Sequence, residues 1–383
     1  MSEYQYYEFR AIDQPLTQKQ VGELRNISSR ARIDSRSLVN EYNFGNFRGN
    51  VDQLMREYFD AHLYLANWGT HTLVFRLPRR LVDVAVFDDY FDGEQNTLAA
   101  TDDVVIAHFR SNLEGGEGWV SGEGELEPLL GVREELLAGD LRALYIAWLS
   151  GMTDDLSGVG EPAAVLEPPV PPGLKNLTAA QKAFAEYMRV EPDLLAAAAE
   201  RSDDRAADAG PEAGKLLAWL REEPAGRKDA WLVQLLLASD PAARWEVLAE
   251  FRKTREPAAS WGAGEPRTLA ALLARAEVLE AERESAAAAA RAAEKRRAEA
   301  ARGRQLDGLR GQEERLWAEA EQAVQTKKKD AYEQAVAHLK DLHDLAARAG
   351  QGDAFGQRLK ELRARHAGKS AFLRQLDAAR LMP

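Results

Sequence analysis

The chain of 383 residues is 45% hydrophobic and 29% charged, the balance of a soluble protein long enough for two or three cores. It contains no cysteine, which excludes disulfides, thiolate catalysis, iron–sulfur clusters and Cys-type zinc sites. The net charge of −12 lies entirely in residues 1–160, with 26 acidic and 14 basic residues, and such an acidic part is a poor match for a phosphate backbone.

In chain order, residues 4–12 are rich in aromatics and read as a strand with Tyr7, Phe9 and Ala11 on one face. Thr17 and Gln20 form a capping box that starts a helix, with Leu16 placed to staple onto Val21. Residues 37–42 read as a second strand ending in the turn-rich FGNFRGN. LYLANWGTHTLVFRL reads as a hairpin turning at 67–70, with Leu73, Phe75 and Leu77 facing inward. Residues 104–109 add a further strand, and helical stretches near 51–59 and 81–91 lie between, so an acidic α+β domain is expected over 1–158.

Residues 114–128, EGGEGWVSGEGELEP, are glycine-rich but carry five glutamates and neither GxGxxG nor a following Lys-Ser/Thr, so a solvated loop is expected rather than a phosphate cradle. Two helices follow, through LLGVREELL and LRALYIAWL. Five prolines in 159–173, VGEPAAVLEPPVPPG, predict an extended linker and the main domain boundary.

Beyond it only helices are predicted. Thr178 and Gln181 form another capping box, Asp240 and Pro241 make an N-cap and first-turn pair, and 202–214 reads as a mobile loop. Helices around 216–220, 231–237 and 245–251 carry enough bulk for a small bundle over 174–260. Residues 261–312 form one long helix whose stretch 280–305 lacks every large apolar side chain, so it is held by alanine propensity and by pairs such as Lys295–Glu299 and Glu299–Arg302. It reads as a solvent-exposed spacer rather than an alanine-lined coiled coil, with Gly303, Gly308 and Gly311 marking a hinge to a terminal helical hairpin domain over 313–383.

Chemistry-bearing constellations are scarce. FDDYFDGEQN at 87–96 clusters carboxylates, but Tyr90 and Ala99 stand where a calcium loop needs oxygens. None of the six histidines forms HxxxH or HExxH, and His108 in a strand lacks an accompanying nucleophile motif, so no metal, cofactor or catalytic residue is expected. Tyr4, Tyr6, Tyr7 and Phe9 have too few basic neighbours for a base-stacking platform and read as core.

Residues 313–346, with Leu316 and Trp317 followed by Tyr332, Ala335, Val336 and Leu339, resemble a single tetratricopeptide-type helix pair, without the usual glycine or terminal proline. EYQYYEFRAID, YFDAHLYLANWGT and AVAHLKDLHDLA resemble an uncharacterised family of bacterial proteins, which implies a bacterial origin and supplies no activity.

The functional expectation is a non-enzymatic bacterial adaptor or regulatory subunit that binds one or more proteins through its helical region. One alternative is a nucleic-acid-associated accessory protein using the basic clusters Lys295, Arg296, Arg297 and Lys327, Lys328, Lys329. Another is an enzyme with a dispersed site around His108 and Asp88 or Asp89. No apolar run reaches the ~20 residues of a membrane helix, and MSEYQYYEF lacks a signal-peptide pattern, so no membrane partner and a cytoplasmic location are expected.

Overall fold

The computed structural model describes residues 3–91, 93–113, 121–154, 161–204, 213–237, 242–253, 265–326 and 328–381. The chain divides into two compact units, residues 1–282 and 283–383.

The first unit is built on a seven-stranded antiparallel sheet. Its strands are β1 (Gln5–Arg10), β2 (Arg32–Ile33), β3 (Ser37–Tyr42), β4 (Ala61–Ala66), β5 (Thr70–Pro78), β6 (Thr97–Ala100) and β7 (Val104–Asn112), in the order β2-β3-β1-β4-β5-β7-β6. Alternation along each strand feeds two cores. Phe9, Ala11, Leu38, Val74 and Ile106 face α1 (Gln18–Ile27) and α2 (Val51–Glu57), with Tyr7 packed beside them. Tyr6, Leu73, Phe75, Leu77, Val105 and Phe109 face the other way, toward α3 (Val84–Asp88), α4 (Leu130–Leu137) and α5 (Arg142–Asp154). Both expected capping boxes form, at Thr17–Gln20 and Thr178–Gln181. The aromatic start of the chain is core, with Tyr6 and Phe9 both buried.

Helix α5 decides where this unit ends. Leu144, Tyr145, Ile146, Ala147, Trp148 and Leu149 are all buried, so the helix is covered on every side, as an apolar-all-round helix must be. The sheet covers one side. The remainder is covered by α6 (Ala179–Tyr187), α7 (Pro192–Ala199) and the segment before them, through Val170, Leu174, Leu177, Phe184, Met188 and Leu194 in the same core. Phe184 meets Phe109 of the sheet edge-to-face at 5.4 Å.

The expected boundary at 159–173 is therefore corrected. Its described part runs without regular structure between turns at 162–164 and 172–173, yet it is docked: Tyr90 donates to the Pro169 carbonyl at 2.7 Å, and Glu167 N donates to the Arg267 carbonyl at 2.8 Å. Proline reports backbone conformation and says nothing of burial, and here Pro168, Val170 and Pro171 are buried. The expected Asp240–Pro241 cap lies outside the described residues, as do 205–212 of the expected loop at 202–214.

His62 on β4 is a buried group that responds to pH: it is 2% exposed, stacked 3.9 Å from Phe9 and bonded through Nδ1 to the Glu8 carbonyl at 2.9 Å. Burial pushes its pKa down to about 3. A free imidazole in the unfolded chain takes up its proton near ~6.5, so the folded state loses stability as the pH falls below that value, at up to ~1.4 kcal/mol per pH unit. His108 is shifted in the same direction by burial and adds to the slope, opposed by the nearby Asp52 carboxylate. Equilibrium unfolding is expected to show a loss of roughly 2 kcal/mol or more between pH 6.5 and 5, and His62→Phe to flatten that dependence. An unchanged slope in the variant would place the titration elsewhere.

Helix α11 (Leu269–Leu309) begins in the first unit and ends in the second. Between 281 and 300 every residue is exposed except the half-buried Ala293, so within this chain the alanines line no coiled coil. Lys295 and Glu299 stand 4.0 Å apart as expected, while Arg302 turns from Glu299 to Asp341 and Asp344. The expected hinge is corrected in part: Gly303 and Gly308 lie inside the regular helix, and only Gly311, with a left-handed φ of +77°, sits in the turn beyond it. The ion pairs from Arg302, together with Arg348 beside Asp307 at 3.5 Å, hold that end of α11 in regular helix.

In the second unit α12 (Glu313–Gln325) and α13 (Lys329–Ala349) form the expected antiparallel pair, burying Leu316, Ala320 and Val324 with Tyr332, Val336 and Leu339. Helices α14 (Gly352–Arg365) and α15 (Ser370–Ala378) complete the core with Phe355, Leu359, Leu362, Phe372 and Leu376. Leu339 has no exposed surface, so Leu339→Ala is expected to cost ~2–5 kcal/mol in denaturant unfolding of this unit.

Candidate interaction surface

Helices α8 (Ala213–Glu222), α9 (Ala225–Leu237) and α10 (Ala243–Lys253) belong to the first unit. Pro224 breaks the chain between α8 and α9 and begins the new helix, its carbonyl accepting from the amides of Arg227 and Lys228. Helix α10 is the anchor. Its Arg244 pairs with Glu134 at 2.9 Å, Arg252 donates to the Leu137 carbonyl at 3.0 Å, and Glu246 pairs with Arg80. An aromatic triad joins the three helices: Trp219 of α8 lies 5.3 Å from Trp231 of α9 and 5.4 Å from Phe251 of α10, with the Arg227 guanidinium 4.8 Å over Trp231.

Helix α9 is the anomaly. Its second half, WLVQLLL, is apolar almost all round, a pattern that belongs in an interior, yet none of its residues is buried. Leu232 and Val233 are each 55% exposed, Leu235 43%, Leu236 81% and Leu237 70%, and α8 adds Leu217 at 48%. Side chains on consecutive turns of one helix then present several hundred Å² of apolar surface, roughly the size above which patches mark a contact. Charged residues frame it, with Lys215, Arg221 and Glu222 on α8 and Asp229 on α9 all exposed. Trp219, 8% exposed, keeps an indole N–H that finds no acceptor among the described residues.

The residues singled out in the sequence fall elsewhere. Lys295, Arg296 and Arg297 are exposed midway along α11, and Lys328 and Lys329 are exposed at the start of α13, while Lys327 lies outside the described residues. His108 and the pair Asp88 and Asp89 are not brought together. His108 Nε2 stands 3.1 Å from Asp52 on α2, whereas Phe87 carries α3 into the core on the opposite face of the sheet, and both aspartates are exposed.

The carboxylate-rich 87–96 segment is structural where it is described. Tyr90 is tied to Pro169, and Asn96 donates to the Ala147 carbonyl at 3.0 Å. In the glycine-rich stretch, 114–120 lies outside the described residues, and Gly122 is there for packing: a Cβ would come within 2.2 Å of the Tyr6 ring. Among the described residues no group of three or more His, Asp or Glu side chains could hold a metal ion, and no helix is long and apolar enough to cross a membrane. Compared with known proteins, the chain matches no family model, no curated protein and no solved structure.

Proposed function

We propose that this protein is a non-enzymatic adaptor or regulatory subunit that docks on a partner protein through helices α8 and α9. The observation that carries the reading is α9 itself, a helix whose last seven residues are apolar but for Gln234 and none of which is buried. Burying one such leucine fully is worth ~1.5–3 kcal/mol, so covering several of them supplies a driving force for association that the free chain leaves unused. The charged frame suits the polar rim of a protein interface.

A photo-activatable residue at Leu236 in living cells is expected to give one discrete adduct identifiable by mass spectrometry. The same residue at Glu284 on the exposed stretch of α11 is expected to give none, and adding Leu232→Ser to the Leu236 probe should abolish the adduct. Equal labelling from both positions, or an adduct indifferent to Leu232, would overturn the proposal.

A further inference from the structure

A second feature of the first unit, remote in sequence from α8 and α9, has the chemistry of a small-ligand site. The turn after α1 and the loop after β3 border an open surface hollow of about 360 Å³, lined by Ser28, Arg30, Tyr42, Phe44, Asn46 and Arg48. That volume falls within the ~300–1,000 Å³ typical of small-molecule pockets. No carboxylate lines it, although residues 1–160 carry the whole net charge of −12. Neither Arg30 nor Arg48 forms an ion pair among the described residues. The neighbouring Glu41 is already matched by Arg32 at 3.3 Å.

Two buried amides hold the walls in place. Asn40, 2% exposed, donates to both Ser28 Oγ and Tyr42 Oη at 2.8 Å. Gln5, also 2% exposed, donates to the Gly45 carbonyl at 2.9 Å and to Asn46 Oδ1 at 3.1 Å. Three of these contacts occupy an acceptor on a group that also carries a donor: the hydroxyl protons of Ser28 and Tyr42 and the amide NH₂ of Asn46 remain for another acceptor. Donors and guanidiniums without a carboxylate select an anion, and planar guanidiniums suit phosphate oxygens in particular. At the rim the Phe44 ring is 73% exposed, a face on which a planar ring stacks.

We propose that this cavity binds a nucleoside monophosphate, its phosphate held by Arg30 and Arg48 and its base stacked on Phe44. The acidic surroundings favour a single phosphate over a polyanionic strand, because each further phosphate adds repulsion.

Isothermal titration of the full chain with the four ribonucleoside 5′-monophosphates tests this, alongside adenosine and inorganic phosphate. Saturable binding of at least one monophosphate is expected, about tenfold or more tighter than either fragment. Arg30→Gln with Arg48→Gln should weaken it by about tenfold or more, and Phe44→Ser should weaken the monophosphate while leaving inorganic phosphate unchanged. These side chains are at the surface, so an unchanged melting curve serves as the folding control. Absence of binding at millimolar concentrations, equal affinity for phosphate and monophosphate, or indifference to the arginine changes would overturn the proposal. Tighter binding of an oligodeoxythymidylate than of dTMP would overturn the single-nucleotide assignment in favour of a strand.

Discussion

A chain truncated after residue 158 is expected not to unfold cooperatively, because it keeps α5 and loses the cover of α5. Leu174, Leu177, Phe184, Met188 and Leu194 are each at most 7% exposed in the full chain and pack in one cluster with the sheet. At ~1.5–3 kcal/mol per buried large side chain, their removal forfeits about 7–15 kcal/mol. That is comparable to the ~5–15 kcal/mol by which a whole domain is stable. Truncation also takes the Tyr187 hydroxyl from the Tyr64 and Thr72 carbonyls, at 2.9 and 3.2 Å. Circular dichroism with urea should show a broad, weakly sloping transition and strong binding of a hydrophobic dye. A sharp two-state transition in the truncated chain would show instead that the sheet and α5 suffice.

The second large effect is expected at Arg142, 1% exposed at the start of α5. Its guanidinium bonds Asp140 through Nε at 3.0 Å and Nη2 at 2.6 Å, and reaches the carbonyls of Gly173 at 3.2 Å and Asn176 at 2.8 Å. One side chain thus fastens α5 to the turn at the end of the proline-rich segment. Arg142→Ala leaves the buried Asp140 carboxylate, 5% exposed, without its counter-charge, and removing one partner of such a pair costs ~3–5 kcal/mol. Arg142→Ala with Asp140→Ala should lose less than the single variant, since the buried carboxylate goes too. Denaturant midpoints at constant slope measure both. A double variant as unstable as Arg142→Ala alone would assign the cost to the lost carbonyl contacts.

Much of the first unit was legible because its signals are local. The capping boxes at Thr17 and Thr178 are four-residue patterns, and the alternation of Leu73, Phe75 and Leu77 is a property of one strand. The edge strands were not legible: β2 is two residues long and β6, TLAA, has too little pattern to separate from loop. The mistaken boundary at 159–173 has the same origin in reverse, since proline is a local signal and docking against α5 is not. Of the charge pairs expected on α11, Arg302 left its helical neighbour for aspartates about 40 residues away, which no spacing rule anticipates.

The candidate surface shows the same limit. Residues 231–237 were recognised as a bulky helix, and bulk was taken as a reason for burial within a bundle. Only the fold shows that Trp231 turns toward Trp219 while Leu232, Val233, Leu235, Leu236 and Leu237 stay exposed. The cavity beside Phe44 was equally hidden, because Gln5 and Asn40 lie 35 residues apart in sequence and are brought onto neighbouring strands only by the pairing of β1 with β3.

Whether α9 is covered in the cell is the question on which the functional account stands. Carbene footprinting, which labels exposed aliphatic side chains, compares the purified protein with the protein in intact cells. Leu232, Leu236 and Leu237 are expected to label strongly when purified and several-fold less in cells, while the exposed alanines of α11 between 284 and 290 change little. Equal labelling of α9 in both settings would contradict the docking surface and the adaptor reading built on it.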